Sequence, residues 1–107
     1  MSELKSNPTL PDLQKYIHDI CAERGWDKNN HLELFLLFSE EVGELAKAIR
    51  NHTRLYAEAE REYKQTELEE EFADVFAYLL DLANYFNVDL EQAFRDKDKV
   101  NQTRVWK

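Results

Sequence analysis

Along most of the chain, apolar residues return at intervals of three and four, the spacing that gathers them on one side of an α-helix. Leu13, Tyr16, Ile17, Ile20 and Cys21 form one such stripe, and Leu34, Phe35, Phe38, Val42, Leu45, Ala46 and Ile49 a second. A third is Phe72, Val75, Phe76, Leu79, Leu82, Ala83 and Phe86, and a fourth is Leu90, Ala93, Phe94 and Val100. No strand pattern of period two accompanies them. Only two glycines and two prolines interrupt 107 residues, so little in the chain opposes helix formation.

Capping residues divide these stripes. Thr9, followed by Pro11 and Asp12, opens a first helix that Gly25 stops. Asn30 paired with Glu33 opens a second over 31–51, and Thr66 with Glu69 reads as the start of a third, ending near Phe86 with Asn87 as terminator. Asp89 with Gln92 caps a last helix over 89–102. Residues 52–65 keep Leu55, Tyr56, Ala59 and Tyr63 at helical spacing, as a short helix or an extension of the second. The expected fold is an all-α bundle of four to five helices. Residues 1–8 form a flexible N-terminal arm and 9–107 a single domain.

One stretch resists a simple amphipathic reading. Leu34, Phe35, Leu36, Leu37 and Phe38 point all around the helix axis, more than one buried face can use. Either several helices of the chain surround this turn or part of it packs against another subunit; a chain this short has few helices to supply and builds a modest core, which favours the subunit reading. Cys21 lies on an apolar stripe as a core residue, and a lone cysteine excludes an internal disulfide. His18 and His52 read as surface or helix-end residues. Trp106 is expected to pack the tail. The longest apolar run is too short to span a bilayer, which makes a cytoplasmic protein with no membrane partner the default expectation.

Charge narrows the ligands. With 22 acidic and 14 basic side chains the formal charge is −8, which disfavours attraction to nucleic-acid backbones. Small phosphate-bearing ligands remain open, provided metal ions bridge the two sets of negative charge. Glu41 and Glu44 are three apart on one helix, and Glu71 and Asp74 have the same spacing on another, so each pair shares a helix face. Paired helices would converge four carboxylates, a set of hard oxygen ligands suited to Mg2+. A solvated acidic surface is the competing reading. Two features weigh against it: Glu40, Glu41 and Glu44 follow directly on the apolar run, and the stripe Glu67, Glu71, Asp74, Tyr78, Asp81 lacks alternating basic partners.

These residues resemble a known pattern. Glu40-Glu41-Val42-Gly43-Glu44 followed by Glu71-Phe72-Ala73-Asp74 is similar to the EExxE…ExxD signature of the all-α, MazG-like nucleoside triphosphate pyrophosphohydrolases, and Lys97, Asn101 and Arg104 match that family's KxxxNxxR element. The resemblance implies hydrolysis of a (deoxy)nucleoside triphosphate to the monophosphate and pyrophosphate, with Mg2+ as cofactor and Mn2+ as substitute. It implies Glu41, Glu44, Glu71 and Asp74 as metal ligands and Glu40 and Glu41 as catalytic carboxylates, Glu40 orienting or deprotonating the attacking water, in a homodimer or homotetramer. Lys97, Asn101 and Arg104 would engage phosphate or sugar. Trp26 resembles the base-stacking tryptophan of the dCTP pyrophosphatase branch, with Asn30, His31 and Lys28 nearby in sequence as base-selecting candidates and dCTP as first candidate substrate. Without the resemblance, Trp26 reads equally well as closing the end of the bundle, and the C-terminal triad as a charged tail. Two alternatives stand beside this reading: a phosphoribosyl-ATP pyrophosphohydrolase and a noncatalytic helical oligomerisation module.

Overall fold

The computed structural model describes residues 1–55 and 64–104, and all regular structure among them is helical. Four helices follow one another: α1 (Leu10–Glu23), α2 (His31–His52), α3 (Gln65–Tyr85) and α4 (Leu90–Gln102). The chain divides into two compact units, one made of Met1–Lys28 and Leu80–Lys107, the other of Asn29–Leu79. α3 contributes residues to both.

In the first unit α1 begins at a closed capping box. The Asp12 amide donates to the Thr9 hydroxyl (3.2 Å), and the Thr9 amide donates to the Asp12 carboxylate (3.0 Å). Lys5 adds an ion pair to the same carboxylate at 3.0 Å. The Thr9 backbone N–H, then Lys5 and the Thr9 hydroxyl, hold the Asp12 pKa down at about 2. Ile20 and Cys21 are buried from the expected stripe.

The buried Gln14 ties this unit together, and α1 packs against α4. Its side-chain amide donates to Asn84 Oδ1 (3.2 Å) and to the Val88 carbonyl (2.8 Å), while its oxygen accepts from the Leu90 amide (2.9 Å). Asn84 returns a bond to the Gln14 carbonyl at 2.9 Å. One glutamine thereby satisfies both a carbonyl of the α3–α4 turn and an amide at the start of α4, groups that would be costly to bury unpaired.

The second unit holds α2 and the N-terminal part of α3. Asn30 accepts from the Glu33 amide, and Glu33 accepts from the Asn30 amide, both at 2.9 Å, as the spacing predicts. Leu34 is buried, whereas Phe35 and Leu36 keep 60% and 69% of their surface exposed.

Three helices end alike, with the amide of the third residue past the helix reaching back five residues across a left-handed position. The left-handed residues are Gly25 (φ 70°), Arg54 (φ 62°) and Asn87 (φ 56°), and the closing bonds are Trp26 N to Cys21 O, Leu55 N to Arg50 O, and Val88 N to Ala83 O.

The structure corrects two expectations. α3 begins at Gln65, and the Glu67 amide already donates to the Lys64 carbonyl, so Thr66 lies inside the first turn and is not the cap. The packed face of α3 is also displaced in part: Ala83 is buried and Val75 and Leu82 half-buried as expected, but Leu80, absent from the expected stripe, is 1% exposed, while Phe72, Phe76, Leu79 and Phe86 are exposed. That helix is apolar over much of its circumference, so periodicity could not select the buried line. Tyr56, Ala59 and Tyr63, expected in a helix over 52–65, lie outside the described residues, as does Trp106.

Candidate metal centre

Glu41 sits in the middle of α2, three turns on from the Asn30 cap, and Glu71 and Asp74 sit one turn apart on α3. One carboxylate oxygen from each of the three lies within 4.8 Å of the others. Glu41 and Glu71 are half-buried and Asp74 is exposed. The cluster is poorly compensated by protein. Glu71 Oε2 is buried and has no hydrogen-bond partner among the described residues, an arrangement that ordinarily costs stability. Burial raises the Glu41 pKa above its usual 4.5, and the charges of Asp74 and Glu71, a hydrogen bond with Glu71 and the charge of Glu40 push it the same way.

Three close carboxylates, one with an orphaned oxygen, fit the needs of a hard divalent cation, which takes oxygen ligands and keeps several waters. They can also hold a proton between Glu41 and Glu71 when no cation is present. Glu44 lies one turn beyond Glu41, exposed and outside the three-oxygen cluster, and Glu40 is exposed beside it. Asn30 and His31 open α2 in the same unit, and the Asn30 side-chain oxygen is engaged in its cap.

Trp26, Lys97, Asn101 and Arg104 belong to the other compact unit. Lys97 and Asn101 are exposed one turn apart on α4, and Arg104 follows the Thr103 cap. Trp26 is 55% exposed, with the Arg24 guanidinium 4.9 Å from its ring centroid. Sequence reasoning overlooked Arg24, whose only signal is that it stands two residues before the tryptophan. Asp81, read as part of an acidic stripe, is half-buried, and burial raises its pKa.

Residues 29–104, with every residue of the acidic cluster among them, match the model of the MazG nucleotide pyrophosphohydrolase domain. The chain belongs to the MazG family. Among its relatives, mouse dCTP pyrophosphatase 1 is 35% identical over 100 residues, an alignment covering 91% of this chain and 59% of that protein. The chain thus spans about three-fifths of the length of that curated relative. The Bacillus subtilis protein YvdC is 30% identical over 91 residues, covering 80% of this chain and 86% of YvdC. Two crystal structures share the fold. Bacillus subtilis YPJD superposes with a TM-score of 0.76 at 28% identity, covering 94% of this chain and 100% of that one. The Bacillus-conserved MazG protein, a nucleotide pyrophosphohydrolase, gives 0.73 at 28% identity, covering 94% and 97%.

Proposed function

We propose that this MazG chain hydrolyses (deoxy)nucleoside triphosphates, dCTP being the first candidate, to the nucleoside monophosphate and pyrophosphate in the presence of Mg2+. The observation that carries this reading is the convergence of one carboxylate oxygen each from Glu41, Glu71 and Asp74, with Glu71 Oε2 buried and without a hydrogen-bond partner among the described residues, in a chain of the MazG family. The likeness to dCTP pyrophosphatase 1 supports the choice of substrate.

In this reading Glu41, Glu71 and Asp74 hold the cation, with Glu44 as a fourth carboxylate. A bound divalent ion supplies charge neutralisation for the triphosphate, polarisation of a phosphoryl oxygen and a more acidic water. Glu40 orients that water or takes its proton. Lys97 offers a compact charge and Arg104 a directed fork for phosphate, with Asn101 for phosphate or sugar. Trp26 stacks on the base, and Asn30 and His31 select among bases. The exposed apolar residues of α2, Phe35 and Leu36, support assembly into a homodimer or homotetramer.

The deciding experiment incubates the protein with individual nucleoside triphosphates and phosphoribosyl-ATP, with and without Mg2+, and resolves the products. Monophosphate with pyrophosphate, dependent on the metal, is expected. Release of orthophosphate and diphosphate contradicts the reading, turnover of phosphoribosyl-ATP alone reassigns the substrate, and no turnover at all indicates a binding module. Glu41→Gln and Asp74→Asn are each expected to lower kcat by about 100-fold or more while the helical circular dichroism stays unchanged. Full activity in both variants would remove the ligand assignment.

A further inference from the structure

Trp26 is fixed at its backbone and backed on one side of its ring. Gly25 takes the left-handed conformation, at φ 70°, and the Trp26 amide donates to the Cys21 carbonyl at 2.7 Å, so the residue is anchored to the end of α1. Its side chain nonetheless leaves 55% of the residue exposed. The Arg24 guanidinium lies 4.9 Å from the ring centroid, within the range of cation–π attraction. A guanidinium against one face restrains ring rotation before any ligand arrives, which lowers the ordering cost of binding. A cation on that face also draws π density toward it, so the opposite face suits a neutral heteroaromatic base better than a cationic ligand.

We propose that Arg24 is a positioning residue for base recognition: its guanidinium backs one face of Trp26 and pre-sets the ring so that the other face receives the base of the nucleotide. The inference rests on the assignment of Trp26 to base stacking. It adds a residue that acts through the tryptophan, without contact to the ligand.

Isothermal titration calorimetry tests it with two probes in Mg2+: the non-hydrolysable analogue α,β-imido-dCTP and base-free inorganic tripolyphosphate. Trp26→Ala is expected to weaken the analogue about five-fold or more and to leave tripolyphosphate unchanged. Arg24→Ala is expected to weaken the analogue about two- to five-fold, again with tripolyphosphate unchanged, and Arg24→Lys to restore part of the loss. In the Trp26→Ala background, Arg24→Ala should add nothing. An equal loss for tripolyphosphate would make Arg24 a phosphate contact and overturn the inference, as would a full additional loss in the double variant. An unaltered Arg24→Ala beside a weakened Trp26→Ala defeats the inference alone. An unaltered Trp26→Ala, or no binding of the analogue by the unsubstituted protein, defeats the stacking assignment and the inference with it.

Discussion

Asp12 and Glu41 have folded-state pKa values displaced in opposite directions, so acid acts on them in opposite senses. Asp12 is depressed from 3.8 to about 2; its contribution to stability is complete above 3.8 and is lost as pH falls through about 2. Glu41 is raised above 4.5; in metal-free protein its contribution is complete below 4.5 and is lost as pH rises through the raised value. Thermal melts in chelator should therefore lose stability on both sides of a maximum in mild acid. Asp12→Asn should flatten the acid side and Glu41→Gln the other, and unchanged slopes would contradict the two assignments. On the proposed assignment of Glu41 as a metal ligand, protons and Mg2+ would compete for it, so Mg2+ affinity measured by calorimetry should fall as pH is lowered, and more steeply than in Glu41→Gln. The same proposal expects added Mg2+ to raise the melting temperature of chelator-treated protein at neutral pH, since an ion that binds the folded state alone stabilises it by mass action. Gln14 offers a purely structural test. Gln14→Leu removes the partners of the Val88 carbonyl and the Leu90 amide, and urea melts should show a loss of about 2–4 kcal/mol.

At the scale of the element, the helix ends make the sharpest predictions. Gly25→Ala forces a Cβ into the left-handed region and should cost about 1–2 kcal/mol, although no neighbour lies within 4 Å of the added atom. Arg54 bears that same backbone strain already, so Arg54→Gly should raise stability by about 1 kcal/mol in denaturant melts. The starts of α1, α2 and α4 were legible because Thr9, Asn30 and Asp89 advertise a cap chemically. Gly25 and Asn87 advertise a terminator in the same way. Arg54 carries no such signal, because there the fold imposes a conformation the residue does not favour. Thr66 with Glu69 misled because the same letters occur by chance inside a first turn. The acidic pairs were legible as helix faces, since spacing fixes which side of a helix a residue occupies. Spacing leaves open the axial offset between helices, which decides that Glu41 meets Glu71 and Asp74 while Glu44 stays exposed.

For the whole molecule, the question is what covers α2. Phe35 and Leu36 are too exposed for large apolar side chains on an isolated chain, and a second copy is the expected cover. Light scattering should report a dimer or tetramer, and Phe35→Glu with Leu36→Glu should shift it toward monomer. A monomer in the unsubstituted protein at assay concentration would remove the subunit reading. The division into units has a further consequence during synthesis. Asn29–Leu79 is one continuous stretch, whereas the other unit joins two stretches far apart in sequence. Gln14 finds its partners only at Asn84, Val88 and Leu90. On the ribosome, the segment with the acidic cluster emerges complete while α1 still waits for residues some seventy positions downstream. α1 thus precedes the other three described helices in the chain yet waits for α4 before it is locked in place.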